Sequence, residues 1–222
     1  MSRWLMGFLG LAFTFLVAAI LFGSAGRWDL PMFGVYLGLW LLFALITAAS
    51  IDLDLMKERL RPRAGGKDSL PLLRLLAAAS LGGHWVVAGL DVGRYHWSDT
   101  VPLGVQVLGL IGVAAALAII RWTQHVNRFF SSAMRIQRDR GQHVITGGPY
   151  QYVRHPGYAA FILVALCSGL ALGSWWSLLP PLLSIVLFIR RTAVEDWLLR
   201  AELEGYPAYA EKVRYRLVPG LW

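Results

Sequence analysis

Several stretches of this chain stay apolar for as long as a bilayer's hydrocarbon core is thick, and that restricts the fold more than anything else in the sequence. Residues 4–23 contain no charge and reach the ~20 residues that a spanning helix needs. Hydrocarbon offers no water to satisfy N–H and C=O groups, so such runs must be helical. Residues 30–51, 70–90 and 101–122 repeat the pattern. Residues 158–189 are too long for one simple span and are broken at Gly173-Ser174 and Pro180-Pro181, which predicts two helices joined by a tight turn. The expected fold is an all-α, multi-pass helical bundle of about six crossings, the last two forming a hairpin. One membrane domain accounts for the 222 residues, with residues 1–126 carrying four transmembrane helices and residues 127–222 the remainder. Hydrophobic residues make up 57% of the chain, and this excess places it in the membrane class. The first run lacks a convincing small-residue cleavage site, so it reads as a retained helix rather than a signal peptide.

Charge placement orients the bundle. Lys and Arg collect on the cytoplasmic side of membrane proteins. With both termini in the cytoplasm, only Arg27 and Arg94 of the 21 basic residues fall outside, whereas Lys57, Arg59, Arg61, Arg63, Lys67 and Arg74 fill the first inner connection. Pro62 and Gly65-Gly66 argue against a continuous helix there. The net charge of +8 is then explained by flanking cations facing anionic lipid head groups. No nucleic-acid module or aromatic-interleaved basic repeat is present.

Outside the spans, GQHVITGGPYQYVRHPGY at residues 141–158 concentrates groups that bilayer packing does not need. Gly147-Gly148-Pro149 forces a turn. Arg154 and His155 then precede Pro156, which suits the first turn of a helix whose N-terminus can hold an anion. Downstream, Arg191 and Glu195 share a helix face, and Glu195 lies close enough to the membrane boundary to need a partner or a function. Arg200, Glu202 and Glu204 read as a solvated amphipathic face. Residues 127–140 read as a cytoplasmic amphipathic connection whose Phe129 and Phe130 dip into the interface. His84 reads as a packing residue, Asp91 and Arg94 as an i, i+3 pair at the outer end, and the single Cys167 as a small hydrophobe. No metal-ligand set is readable. The glycines and alanines of the fourth span permit close helix packing, within one bundle or across a dimer.

The order Gly148-Pro149-Tyr150, Arg154-His155-Pro156-Gly157-Tyr158, Glu195-Asp196, Tyr206, Tyr209 and residues 213–219 resembles the isoprenylcysteine carboxyl methyltransferase family over residues 127–222. Related phospholipid N-methyltransferases share this C-terminal plan. The resemblance implies a membrane enzyme that uses S-adenosyl-L-methionine without a Rossmann domain, its cofactor pocket lying at the cytoplasmic ends of the last helices and a hydrophobic or lipid-like acceptor entering from the bilayer. Gly148, Tyr150, Arg154, His155, Pro156 and Tyr158 correspond to the motif around the methionine moiety, where Arg154 or the helix N-terminus can take the carboxylate. Glu195 corresponds to the first member of a Glu-Glu pair and can receive the ammonium or a ribose hydroxyl. Val144 and Ile145 can wall the adenine. Two positions depart from the family: the second Glu is Asp196, and a usual Gly is Ala160. A carboxylate acceptor needs no base. A thiol or protonated amine would, and His155 is then the candidate, its other reading being a cofactor-orienting donor. Arg191, Arg214 and Arg216 can hold an anionic acceptor or simply meet the membrane surface. A nicotinamide-dependent reductase of sterol-reductase type and a non-enzymatic accessory protein are the competing readings.

Overall fold

The computed structural model describes residues 3–60, 71–131 and 133–222. Arg61, Arg63, Lys67 and the break assigned to Pro62 and Gly65-Gly66 lie outside them. The described residues are helical with no strand: α1 (Arg3–Ala25), α2 (Pro31–Ser50), α3 (Leu53–Leu60), α4 (Pro71–Gly89), α5 (Leu103–Val126), α6 (Pro156–Ala171), α7 (Pro181–Glu202) and α8 (Tyr206–Lys212). Five stretches are long and apolar enough to cross a membrane. The sixth apolar helix, α6, has 16 residues and is therefore about 24 Å long, a little short of the ~30 Å core. This is a multi-pass membrane protein. Phe15, Leu108 and Val186 are more than half exposed on its flanks, as lipid-facing side chains should be.

The core lies where α1, α2, α4, α5 and α6 converge on Val17, Leu21, Phe33, Tyr36, Val113, Ala116 and Leu172. A β-carbon at Gly109 would overlap the backbone of Ala171, and one at Gly112 would strike Cys167 Sγ. These small residues seat α6 directly on α5, the close packing expected of the fourth span. Within this apolar volume Trp85 Nε1 donates to Tyr36 Oη (3.1 Å), which lies 3.1 Å from Ser168 Oγ. Three helices thereby share one satisfied polar junction. The α6–α7 hairpin turns where its Gly and Pro pairs predict, with Gly173 at φ +77° and α7 opening at Pro181.

One end of the bundle differs from expectation. After Gly89 the chain widens into a π-helical turn, Leu90–Tyr95, ending at left-handed His96. The extra residue turns Asp91 inward, where it is fully buried. It accepts from Ser98 N (2.8 Å), Ser98 Oγ (2.5 Å) and Ser174 Oγ (2.5 Å). Arg94 donates instead to Gly23 O. The expected Asp91–Arg94 pair is replaced by a clamp between α4 and the hairpin.

Candidate functional site

At the opposite end, the chain between α5 and α6 folds back over the helix termini. Gly148 turns it at φ +59°, and a β-carbon there would also press on Val126 and Trp122, so the conformation and the close approach both select glycine. Pro149 and Tyr150 follow in a short 3-10 turn. The Tyr150 hydroxyl accepts from Asn127 Nδ2 (2.7 Å), and its carbonyl accepts from Tyr209 Oη (2.8 Å). Arg154 and His155 then pair with the C-terminal segment through His155 N to Arg216 O and Arg154 N to Tyr215 O, both 2.9 Å. Pro156 begins α6. The tail is thus tied to the helix entry by backbone as well as by side chains.

Asp196 is the centre of those side-chain ties. It is completely buried on α7, with Arg154 Nε 2.7 Å from Oδ1 and Nη2 3.1 Å from Oδ2. Tyr206 Oη donates to Oδ1 (3.0 Å), Arg216 Nε and Arg200 Nε donate to Oδ2 (3.0 and 3.2 Å), and His155 Nε2 lies 3.4 Å from Oδ1. Arg154 spends its other amino group on the carbonyls of Val213 (2.8 Å) and Arg214 (2.6 Å). Four of its five N–H groups are engaged, so the guanidinium expected to take a ligand carboxylate instead ties α6, α7 and the tail together. Burial and the adjacent Asp196 carboxylate push the Tyr206 hydroxyl well above the ordinary phenol range. It therefore stays a neutral donor at any ordinary pH.

Glu195, one residue earlier, faces the other way. Its Oε2 accepts from Tyr158 Oη (2.6 Å), and that hydroxyl in turn accepts from Arg191 Nε (2.7 Å). The i, i+4 pair read from the sequence meets at Tyr158. Glu195 and Tyr158 open onto a cleft that also receives Val144, Ile145, Tyr150, Arg154, His155 and Gly157. Leu198, Leu199 and Leu203 supply an apolar wall, with Tyr206 and Tyr209 beside it.

The remaining wall departs from the sequence reading. Residues 127–147 form a folded cover, not a surface connection. Phe129 is buried beneath the cations of Arg128 and Arg140 and packs edge-on to His143, 5.2 Å between centroids. Phe130 fills the space that Gly157 leaves open and lies under Arg59. Gln137, buried, donates to Phe129 O (2.8 Å), while Arg140 bonds Asp54 (2.6 Å) and Arg135 bonds Glu58 (2.9 Å) on α3. Gln137, Gln142 and His143 thereby line the cleft, although residue type alone did not mark them. Two glutamines in an otherwise basic loop were the available signal.

The sequence candidates accordingly separate by position. Val144, Ile145, Tyr150, Tyr158 and Glu195 border the cleft directly, His155 borders it with Nε2 turned to the Asp196 cluster, and Arg191 reaches it through Tyr158. Gly148 and Pro156 shape the backbone. Arg214 is exposed, and its carbonyl accepts from Arg154, while its side chain does not line the cleft. Arg200, read as a solvated charge, contacts Asp196 while 41% of its side chain stays exposed.

Comparison with known proteins falls on the same part of the chain. Residues 107–201 match the isoprenylcysteine carboxyl methyltransferase (ICMT) family. The matched segment runs from α5 to the end of α7 and contains the turn at Gly148, Arg154-His155 and Glu195-Asp196. The protein-S-isoprenylcysteine O-methyltransferase of Schizosaccharomyces pombe (strain 972 / ATCC 24843) is 35% identical over 119 residues, 52% of this chain and 47% of that protein. The chain therefore matches about half the length of its curated relative. A solved structure, that of the eukaryotic intramembrane Ras methyltransferase ICMT, superimposes with a TM-score of 0.51 at 17% identity, over 99% of this chain and 81% of that one. The ICMT likeness thus extends in fold beyond the segment matched in sequence, to the first helices.

Proposed function

We propose that the chain is an integral membrane methyltransferase that moves a methyl group from S-adenosyl-L-methionine to the carboxylate of a hydrophobic, isoprenylcysteine-like acceptor, with both termini in the cytoplasm. The observation that carries this reading is the opposite orientation of two adjacent carboxylates within the ICMT segment. Asp196 is consumed in closing the tail, while Glu195, seated by Tyr158, faces a cleft that is apolar on one side.

The donor set suits the cofactor's parts. Val144, Ile145, Leu198, Leu199 and Leu203 offer an apolar surface of the kind an adenine ring prefers. Glu195 is placed for an ammonium or a ribose hydroxyl. With Arg154 occupied, the N-terminus of α6 at Gly157 and Tyr158 is the better holder of a carboxylate. When bound, the sulfonium supplies an electrophilic methyl. Arg191, held on the Tyr158 hydroxyl, is the cation assigned to orienting an anionic acceptor. A carboxylate acceptor needs no general base, and His155 serves to position Tyr158, on which it stacks at 5.9 Å. The folded cover of residues 127–147 excludes water, and catalysis then rests on alignment of the two reactants.

Calorimetric titration of the detergent-purified protein with S-adenosylhomocysteine tests this reading. Saturable binding that Glu195→Ala weakens by about 1–3 kcal/mol is expected. NADPH binding in place of S-adenosylhomocysteine would move the assignment to a reductase. Transfer of labelled methyl from the cofactor to a farnesylcysteine analogue tests the acceptor class.

A further inference from the structure

A second cavity lies on the flank of the bundle. Between α2 and α5 an open trough of about 1070 Å³ is lined by Leu39, Leu42, Phe43, Ile46, Leu117 and Ala118, and ends in the polar group Ser50, Arg121, Trp122 and His125. Leu42 and Ile46 are about half exposed along it. From Leu39 to Ser50 on α2, and from Ala114 to His125 on α5, the trough is about 16 Å long at 1.5 Å per residue. That is one leaflet's share of a ~30 Å hydrocarbon core. Its polar end is on the same side of the bundle as the cleft, since Trp122 abuts Gly148.

Arg121 gives the trough its chemistry. Nε and Nη2 bond the hydroxyl and carbonyl of Ser50 (3.1 and 2.8 Å), so the guanidinium is anchored at the trough's end. Nη1 is buried and has no acceptor, and no carboxylate pairs with Arg121 among the described residues. A cation with a spare donor at the head of an apolar, leaflet-deep trough complements an amphiphile with acyl chains and a negatively charged phosphodiester head. Trp122 and His125 add an amphipathic ring and a further polar group at the same depth.

We propose that the α2–α5 trough is a binding site for an anionic glycerophospholipid, with the acyl chains along Leu42, Ile46 and Ala118 and the phosphate on Arg121. The site is separate from the cleft, and the assignment does not depend on the methyltransferase reading. The test titrates the detergent-purified full chain with palmitoyl-oleoyl phosphatidylglycerol or the matching phosphatidylcholine and counts bound lipid by native mass spectrometry. The wild-type protein should bind phosphatidylglycerol at least fivefold tighter than phosphatidylcholine. Arg121→Gln should remove that preference. Ala118→Trp, at an exposed position, should fill the trough and reduce binding of both lipids severalfold with Arg121 intact. Unchanged phosphatidylglycerol binding in folded Ala118→Trp overturns the proposal, as does a preference that survives Arg121→Gln. Competitive displacement of the lipid by a farnesylcysteine analogue also overturns it, assigning the trough to the acceptor.

Discussion

Each end of this bundle buries an aspartate completely, and the two are held by opposite means. Asp91 is satisfied by neutral donors: a backbone N–H and two serine hydroxyls. Asp196 is satisfied by three arginines, a tyrosine and a histidine. The neutral clamp joins α4 to the hairpin turn without using a cation. The cationic cluster brings α6, α7 and the tail together, and it leaves Glu195 next door directed into a cleft. A buried carboxylate is stable in either setting when its lone pairs are filled. The charged setting adjoins the cleft.

The contrast is broken most severely at Asp196. Replacing it with Ala strands Arg154 in the interior, and removal of one partner of a buried pair costs about 3–5 kcal/mol. Asp196→Ala should therefore lose its cooperative thermal transition in detergent or melt far below wild type. A wild-type melting curve would show that the arginines find other partners. Asp91→Ala at the other end should lower stability by about 1–3 kcal/mol by orphaning serine donors. Its cofactor affinity should stay at the wild-type value, which calorimetry would check. A change in affinity there would show that the two ends are coupled.

Smaller effects sharpen the same comparison. Tyr158→Phe removes the hydroxyl that links Arg191 to Glu195, and should weaken S-adenosylhomocysteine binding by about 1 kcal/mol without moving the melting temperature. Arg200→Ala, half-exposed at the rim of the Asp196 cluster, should shift stability by less than about 1 kcal/mol. A pH effect of similar modesty is expected at α3. Hydrogen bonding from Arg140, opposed by some desolvation, keeps the Asp54 carboxyl below the usual carboxylate range. Its folded value is thus below its unfolded one, so its contribution is present at neutral pH and disappears as pH falls below ~4. The protection of the α3 amides, taken as exchange relative to the intrinsic rate at each pH, should fall between pH 6 and pH 3.5, and equal protection at both would remove Asp54 from the account of how the cover is held.

What could be read from the sequence follows the physics that operates locally. Hydrocarbon forces continuous apolar helices, so the spans and the hairpin at Gly173-Ser174 and Pro180-Pro181 were legible. Glu195 was legible because an ionised group at a membrane boundary needs a reason. The fold of residues 127–147 was not, since its anchors are Asp54 and Glu58, more than 70 residues away, and no periodicity encodes that pairing. The role of Arg154 in tying the tail was not legible either, because its acceptors include carbonyls of Val213 and Arg214, groups that every residue carries. Arg200 is exposed as its spacing implied, but its contact with Asp196 was not legible, because spacing does not reveal that Asp196, four residues earlier, points inward.

The π-helical turn at Leu90–Tyr95 has a consequence for how this chain can tolerate change in length. A π turn behaves as an α-helix that has accommodated one inserted residue. Deleting one residue between 90 and 95 would return the segment to regular winding, which makes it a mild excision for the helix itself. It would also remove the wide turn that carries Asp91 inward to Ser98. Relatives that lack the bulge should lack the aspartate too, and their helices after α4 should align only when a one-residue gap is opened there.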